Sequence, residues 1–180
     1  MSGPPEIPGI KVRPATAGDL PFLKTMLADA ARGPAPAARG PAARWPSVEA
    51  CLADRPVSRF WTGWPRPDDL GVVAHSEGSP VGATWARRFP PDALAQGEDA
   101  EAPQLVIAVE PAWRLRGIGR MLLLWLMVQA SERRVAAVEL TVSMANGTAL
   151  RLFRSVGFAD VGHHGDAVHM RRQVRRPGAR

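Results

Sequence analysis

"VEPAWRLRGIGRMLLLWLM", Val109 to Met127, sets Arg114, Arg116, Arg120 and two glycines directly in front of an almost unbroken apolar run. Such a run belongs inside a core, so a buried helix is predicted over Gly119 to Ala130, with its start held from within. Before it, the apolar stretch Gln104 to Val109 has the continuous pattern of a central strand, and Pro111 marks a turn. Strand, turn and helix N-terminus together make an anion site, because the first N–H groups of a helix lack intrahelical acceptors and the macrodipole is positive there. Gly117 and Gly119 let the backbone approach an oxyanion without a Cβ in the way, and the three arginines can add charge-assisted hydrogen bonds to phosphate. The plainer alternative is a glycine-rich turn whose arginines are incidental. Gly-x-Gly is neither a dinucleotide fingerprint nor a Walker loop, since the third glycine and the Lys-Ser/Thr are missing.

Outward from this stretch, turn signals divide the chain into short elements. "IKVRPAT", Ile10 to Thr16, alternates like a strand. Ala17 to Ala31 carries Leu20, Leu23, Met26, Leu27 and Ala30 at helical spacing, with Thr16 or Asp19 available as a cap. Arg32 to Arg44, biased to Ala, Pro and Gly, is expected to be a loop. A short helix is predicted over Ser47 to Asp54. Leu70 to His75 and Pro80 to Arg87 flank Glu77-Gly78-Ser79 as a hairpin. Pro90 to Pro103 forms a long loop with the acidic "EDAE", Glu98 to Glu101. Beyond the central helix come a strand over Ala136 to Ser143, a helix over Gly147 to Val156 closed by Gly157, and two final strands in "FADVG" and "AVHMRRQV". The sum is one mixed α/β domain over residues 10–174, with a flexible leader over 1–9 and a basic tail over 175–180.

Composition narrows the function classes. A chain of 180 residues, 46% hydrophobic, suffices for one domain with a proper core. The run Met121 to Val128 is too short to span a bilayer, so no membrane partner is expected. "MSGPPEIPG" lacks the basic and apolar regions of a secretory signal. The lone Cys51 agrees with a reducing, cytoplasmic setting and excludes a cysteine-rich metal site, and no metal is expected. The formal net charge of +6 invites a nucleic-acid reading. Five arginines, however, sit in the last ten residues, "RRQVRRPGAR", and no recognition helix, zinc knuckle or RNA-binding aromatic motif accompanies them. A solvated tail, without a nucleic-acid partner, is the expectation.

Two motifs in order give the sequence a family resemblance. "VEPAWRLRGIGRMLL" matches the Arg/Gln-x-x-Gly-x-Gly/Ala signature of the GNAT superfamily of N-acetyltransferases as Arg114-x-x-Gly117-x-Gly119. "LTVSMANGTALRLFRSVGF" is similar to that family's Asn-x-x-Ala-x-x-Leu-Tyr-x-x-x-Gly-Phe element through Asn146, Ala149, Leu152, Gly157 and Phe158. The resemblance covers Gln104 to about Val161 and implies a central mixed, mostly antiparallel sheet flanked by helices. It implies acetyl-CoA as co-substrate, lying in a notch between the strands that end at Val109 and Ser143. The amides of Leu115, Arg116, Gly117, Ile118, Gly119 and Arg120 would grip the pyrophosphate, with Arg114 at the head of the motif. Backbone groups around Ala108 and Val109 would pair with the pantetheine arm and supply an oxyanion N–H. Asn146 would hydrogen-bond the pantetheine, or cap its helix, or both. Ala149 and Phe153 complete the element.

The family tyrosine that commonly protonates the departing thiolate falls on Phe153, and the chain contains no tyrosine. Phe153 can pack but cannot donate, and by periodicity alone it is a core residue. A thiol of reference pKa near 8.5 can leave as thiolate, unaided or through water. Ser143 is a substitute donor or a capping hydroxyl. No catalytic residue is assigned: Asp92, Glu98, Asp99 and Glu101 are acidic candidates for handling the amine proton or simply a solvated loop, while His75, His163 and His164 read as structural or exposed. Phe60, Trp61, Trp64 and Trp85 either line an acceptor cavity or complete the core. The expected activity is acetyl transfer to a primary amine, on a small molecule or a protein N-terminus, by direct attack. An acyl-CoA-binding protein without turnover is the alternative. Related proteins often dimerise, which makes a homodimer an expectation from the resemblance.

Overall fold

The computed structural model describes residues 4–32 and 45–174. Most of the expected loop between the first two helices and the whole of the basic tail lie outside them. The elements run β1 (Ile10–Pro14), α1 (Leu20–Arg32), α2 (Val48–Ala53), α3 (Arg55–Ser58), β2 (Leu70–Ser76), β3 (Ser79–Arg87), β4 (Gln104–Val109), α4 (Ile118–Glu132), β5 (Ala137–Ser143), α5 (Gly147–Ser155), β6 (Ala159–His164) and β7 (Ala167–Gln173). The seven strands form one sheet in the order β1-β2-β3-β4-β5-β7-β6. Every neighbouring pair is antiparallel except β4 and β5, which run parallel. The expected mixed, mostly antiparallel sheet flanked by helices is therefore the observed architecture.

Each local device has a physical cause. The strand at Ile10 stops at Pro14, two residues short of the expected end, because Thr16 opens the next helix instead. The Thr16 N–H and hydroxyl both donate to Asp19 Oδ2, at 2.7 and 2.9 Å, and a 3-10 turn over Ala17–Asp19 leads into α1. Arg13 reaches across from β1 to the same carboxylate. Asp19 is consequently held down to about 2, first by the Arg13 guanidinium and then, against the cost of burial, by Thr16. Ser47 caps α2 through Ala50 N–H, and a further short helix, α3, follows where the sequence reading saw none. The hairpin between β2 and β3 turns on Glu77 and Gly78 alone, both at positive φ, so Ser79 already belongs to the strand.

Two apolar cores sandwich the sheet. α4 and α5 share the larger one, built on Leu122, Leu126, Leu140, Phe153, Phe158 and Met170 among others. α1, α2 and α3 cover the opposite face of β3 and β4 with Leu23, Met26, Leu27, Cys51 and Val57, in one core with Trp85 of β3. The apolar run of α4 is buried along one side only: Leu122, Leu123 and Leu126 are inaccessible, while Trp125 remains 36% exposed on the outer face. The four aromatics of the segment before and within the hairpin complete the second core. Trp85 donates to Phe60 O, Trp64 to Thr16 O and Trp61 to Leu52 O, while the Lys24 ammonium covers the Trp61 ring at 3.7 Å. The leader is drawn in as well, since Ile7 packs against the larger core.

Candidate active site

The decisive feature of the sheet is where pairing stops. β4 and β5 share a single register pair, Gln104 with Glu139, and the Glu139 N–H donates to Pro103 O. Past that point the strands carry no further register pair. Each is fully paired on its outer side, β4 with β3 and β5 with β7. The Glu139–Pro103 bond and the Glu110 N–H to Val81 O fix which residues face which way. In β4 the alternation directs the backbone groups of Ile107 and Val109 into the gap, and those of Ala108 towards β3. Apart from Val109 O, which accepts from Arg114, these backbone groups need partners, and an extended ligand lying between the strands can supply them as an added strand would.

The mouth of this gap is the loop from Glu110 to Gly117. It makes a 3-10 turn at Pro111–Trp113, then places Leu115 at φ 60 and 90% exposed, and ends at Gly117. Gly117, at φ 83, is the N-cap of α4, and having no side chain it leaves the first N–H groups of the helix uncapped. The first helical bond runs from Met121 N–H to Gly117 O. The N–H groups of Ile118, Gly119 and Arg120 thus have no acceptor within the helix, as an anion site requires.

Gly119 has a packing reason alongside any role in anion approach. A Cβ there would lie 3.1 Å from Leu152 Cδ2, 3.8 Å from Ile107 and 4.0 Å from Val109. The missing side chain lets α4 approach α5 and β4, which sets the height of the helix N-terminus above the gap. The three arginines do not converge on one point. Arg114 donates to Val109 O at 2.9 Å and pairs with Asp29 on α1. The Arg116 guanidinium lies over the Trp113 ring at 5.0 Å. Arg120 donates to Ser155 O and Oγ at the end of α5, at 2.9 and 3.1 Å. As placed, they brace the loop against α1, itself and α5.

On the other side of the gap Asn146 caps α5: its Oδ1 accepts from Ala149 N–H at 3.1 Å. Its amide N–H₂ makes no hydrogen bond among the described residues. Ala149 is half-buried against the larger core. Phe153 is 5% exposed and meets Phe158 edge to face at 5.7 Å, so it stands in the core as periodicity alone suggests. Ser143 Oγ accepts from Ala145 N–H at 3.3 Å, a capping role.

At the closed end of the gap lies a buried polar cluster that sequence reasoning did not single out. Glu139, 1% exposed, accepts from Gln104 Nε2 at 3.0 Å, Asp99 N–H at 3.1 Å and Arg171 Nη1 at 2.7 Å, with His169 Nε2 3.1 Å away. Its signal was a lone glutamate inside the apolar strand "AAVELTVS". Arg171 also pairs with Asp99, which is held below the usual carboxylate range first by Glu101 N–H and then by Arg171. These bonds dock the acidic loop across β5. Glu98 is carried to 3.5 Å from the Thr141 hydroxyl, just past the last paired position. Asp92 lies on the 3-10 turn Pro91–Ala93, and Arg88 holds the loop at Glu101 O. A separate groove of about 460 Å³ on the β3 side of Trp113 is lined by Glu77 and Glu110, the wrong charge for phosphate. Among the described residues no cluster of metal-ligating side chains occurs, and no helix is long and apolar enough to cross a membrane.

Comparison with known proteins agrees with this geometry. The model of the acetyltransferase (GNAT) family matches residues 41–158. A mycothiol acetyltransferase from Thermobispora bispora is 32% identical over 127 residues, covering 63% of this chain and 41% of that protein. The chain spans about two fifths of the length of the curated relatives it matches. A ribosomal-protein-alanine N-acetyltransferase from Brucella melitensis superposes at a TM-score of 0.64, with 25% identity over 91% of this chain and 99% of that one. An acetyltransferase from Salmonella typhimurium solved with its cofactor acetyl-CoA superposes at 0.66, with 18% identity over 95% and 97%. With a family model matched over more than half of its length, on a sheet that opens where the family motifs lie, the chain belongs to the GNAT acetyltransferase family.

Proposed function

We propose that the protein transfers acetyl from acetyl-CoA to a primary amine by direct attack. The observation that carries this is the abrupt end of β4–β5 pairing, with uncapped helix N–H groups at the open end of the gap. In this reading the amides of Leu115, Arg116, Gly117, Ile118, Gly119 and Arg120 hold the pyrophosphate, and Arg114 fixes the loop. Ile107 and Val109 pair with the pantetheine arm, beside Ala108, and one of their N–H groups faces the developing oxyanion. Asn146 offers its free amide N–H₂ to the pantetheine, next to Ala149. Phe153 backs the site with bulk rather than a proton, so the thiolate leaves unaided or takes its proton through water. The relatives are named for mycothiol and for an alanine of a ribosomal protein, so a small molecule and a protein are both acceptor classes open to this chain.

The test separates the loop from the rest of the ligand. Calorimetric titration with acetyl-CoA and with S-acetyl-pantetheine, which lacks the pyrophosphate, should give affinities at least about 100-fold apart, roughly 2.7 kcal/mol. Gly119→Asp, which sets a carboxylate against the phosphates and a side chain against Leu152, should abolish the difference. Equal affinity for the two ligands in wild type would remove the phosphate-loop reading. A second reading rests on the burial of Phe153 in a chain without tyrosine: binding without turnover. Thiol release over an amine panel decides between them.

A further inference from the structure

Beside the open part of β5 two opposite charges come close without pairing. Arg59 stands at the end of α3. Its own carbonyl accepts from Arg87 Nη1 at 2.8 Å, and the next carbonyl, Phe60 O, accepts from Trp85 Nε1 at 3.2 Å. The residue is thus mounted rigidly on the end of β3. Its guanidinium lies over the Phe89 ring at 4.3 Å and donates Nη1 to Ala93 O. Its Nε is buried without a hydrogen-bond partner, and among the described residues Arg59 makes no ion pair. Two residues along the same loop, Ala95 N–H holds Glu98 Oε2 at 2.8 Å, leaving Oε1 beside Thr141. Burial lowers the Arg59 guanidinium from its usual value, and the field of Glu98 opposes that shift, so the two charges sense one another.

A half-buried guanidinium with no carboxylate in contact is costly, and a carboxylate brought against its accessible side would balance the charge. Glu98 lies on the same loop, five residues beyond the Arg59 contact at Ala93 O, with its Oε2 engaged by Ala95 N–H. A ligand carrying a carboxylate and an ammonium on one carbon would answer both charges. We propose that Arg59 and Glu98 form the acceptor subsite, which takes a free α-amino acid head group, carboxylate on Arg59 and ammonium on Glu98. This rests on the acetyltransferase reading above. Glu98 takes one proton from the ammonium. The freed nitrogen lone pair attacks the acetyl carbonyl carbon, a C–N bond forms and the C–S bond breaks with its electrons on sulfur. The second nitrogen proton ends on the thiolate, giving the free thiol, and Glu98 returns its proton to water. A peptide N-terminus presents an amide where this subsite expects a carboxylate, so it is disfavoured.

The test compares the twenty common α-amino acids with their α-carboxamides, by thiol release from protein saturated with acetyl-CoA. At least one free acid should exceed its own carboxamide tenfold or more in kcat/KM. Arg59→Met should bring that ratio to about one, and Arg59→Lys, which keeps charge but not the fork, to an intermediate value. Acetyl-CoA affinity of both variants should stay within twofold of wild type. Glu98→Gln should lower kcat on the preferred acid at least tenfold. Carboxamides equal to or better than acids, or a ratio that survives Arg59→Met, would overturn the proposal. So would acetyl-CoA binding with no acid turned over and no acid titrating onto the CoA-loaded protein. Failure of acetyl-CoA to bind at all would instead sink the acetyltransferase reading and take this subsite with it.

Discussion

Asp69→Asn should be among the most damaging single-atom changes in this chain. Arg87 and Asp69 are 1% and 2% exposed at the side chain and meet through two bonds, Nε to Oδ1 at 2.8 Å and Nη2 to Oδ2 at 2.6 Å. Asp69 Oδ2 also accepts from Arg66 N–H at 2.7 Å. All three partners are donors, so an amide N–H₂ at either position faces an N–H instead of accepting from it. The guanidinium is meanwhile left buried with its charge unbalanced. Removing one member of such a pair costs about 3–5 kcal/mol. At the size of this domain that corresponds to a melting shift of roughly 6–20 °C.

Denaturant unfolding of Asp69→Asn, Arg87→Met and the double variant gives the coupling directly. The expected interaction energy is about 2 kcal/mol or more, because each single change strands the other charge. Acetyl-CoA affinity should stay within twofold. Arg87 pairs in register with Gln104, at the closed end of β4, and the phosphate loop begins after Val109, about 16 Å further along the strand. Additive single changes, with coupling under about 0.5 kcal/mol, would refute the claim that each buried charge depends on the other. A large loss of acetyl-CoA affinity in well-folded Asp69→Asn would refute the claimed separation of the two ends.

Two further outcomes follow from the helix starts. Asp19 is held at about 2 in the folded protein, below its ordinary value, so the stability it contributes is present above about pH 4 and lost as the pH falls towards 2. Since Arg13 is half exposed, that contribution is about 1–2 kcal/mol after screening, and Asp19→Asn should flatten the acid limb of a stability–pH profile by that amount. Ser47→Ala, which removes the acceptor for Ala50 N–H at 3.1 Å, should cost about 1 kcal/mol in urea unfolding and leave ligand binding unchanged.

The sequence made the elements legible where burial imposes a period. Leu105–Val109 is apolar throughout because both faces of β4 are covered, and the expected strand bounds, Gln104–Val109, came out to the residue. Boundaries slipped where a side-chain bond decides them, as at Thr16, whose bonds to Asp19 end the strand early. The aromatics were ambiguous for a different reason. Trp61, Trp64 and Trp85 each need a carbonyl for the indole N–H, and only the fold shows that Leu52, Thr16 and Phe60 provide one inside a core. Glu139 was invisible as a site residue because its partners come from two distant stretches of the chain, Asp99 and Gln104 before it and His169 and Arg171 on β7. No local pattern encodes a cluster assembled by strand order.

The opening stretch shows how a motif can be legible while its chemistry is not. Arginines and glycines before an apolar helix suggested side chains reaching for phosphate. In the fold Arg114 grips Val109 O and Asp29, Arg120 grips the end of α5, and Gly119 admits Leu152. These contacts leave the backbone N–H groups of one helical turn without an acceptor in the helix, and under the proposed function these groups face the phosphate, where the macrodipole concentrates positive charge. A side-chain phosphate clamp can be assembled by many sequences. A rigid backbone one must fix the helix in height, rotation and loop path at once, and under the proposed function that requirement accounts for glycine, arginine and a long apolar run occurring together between Val109 and Met127.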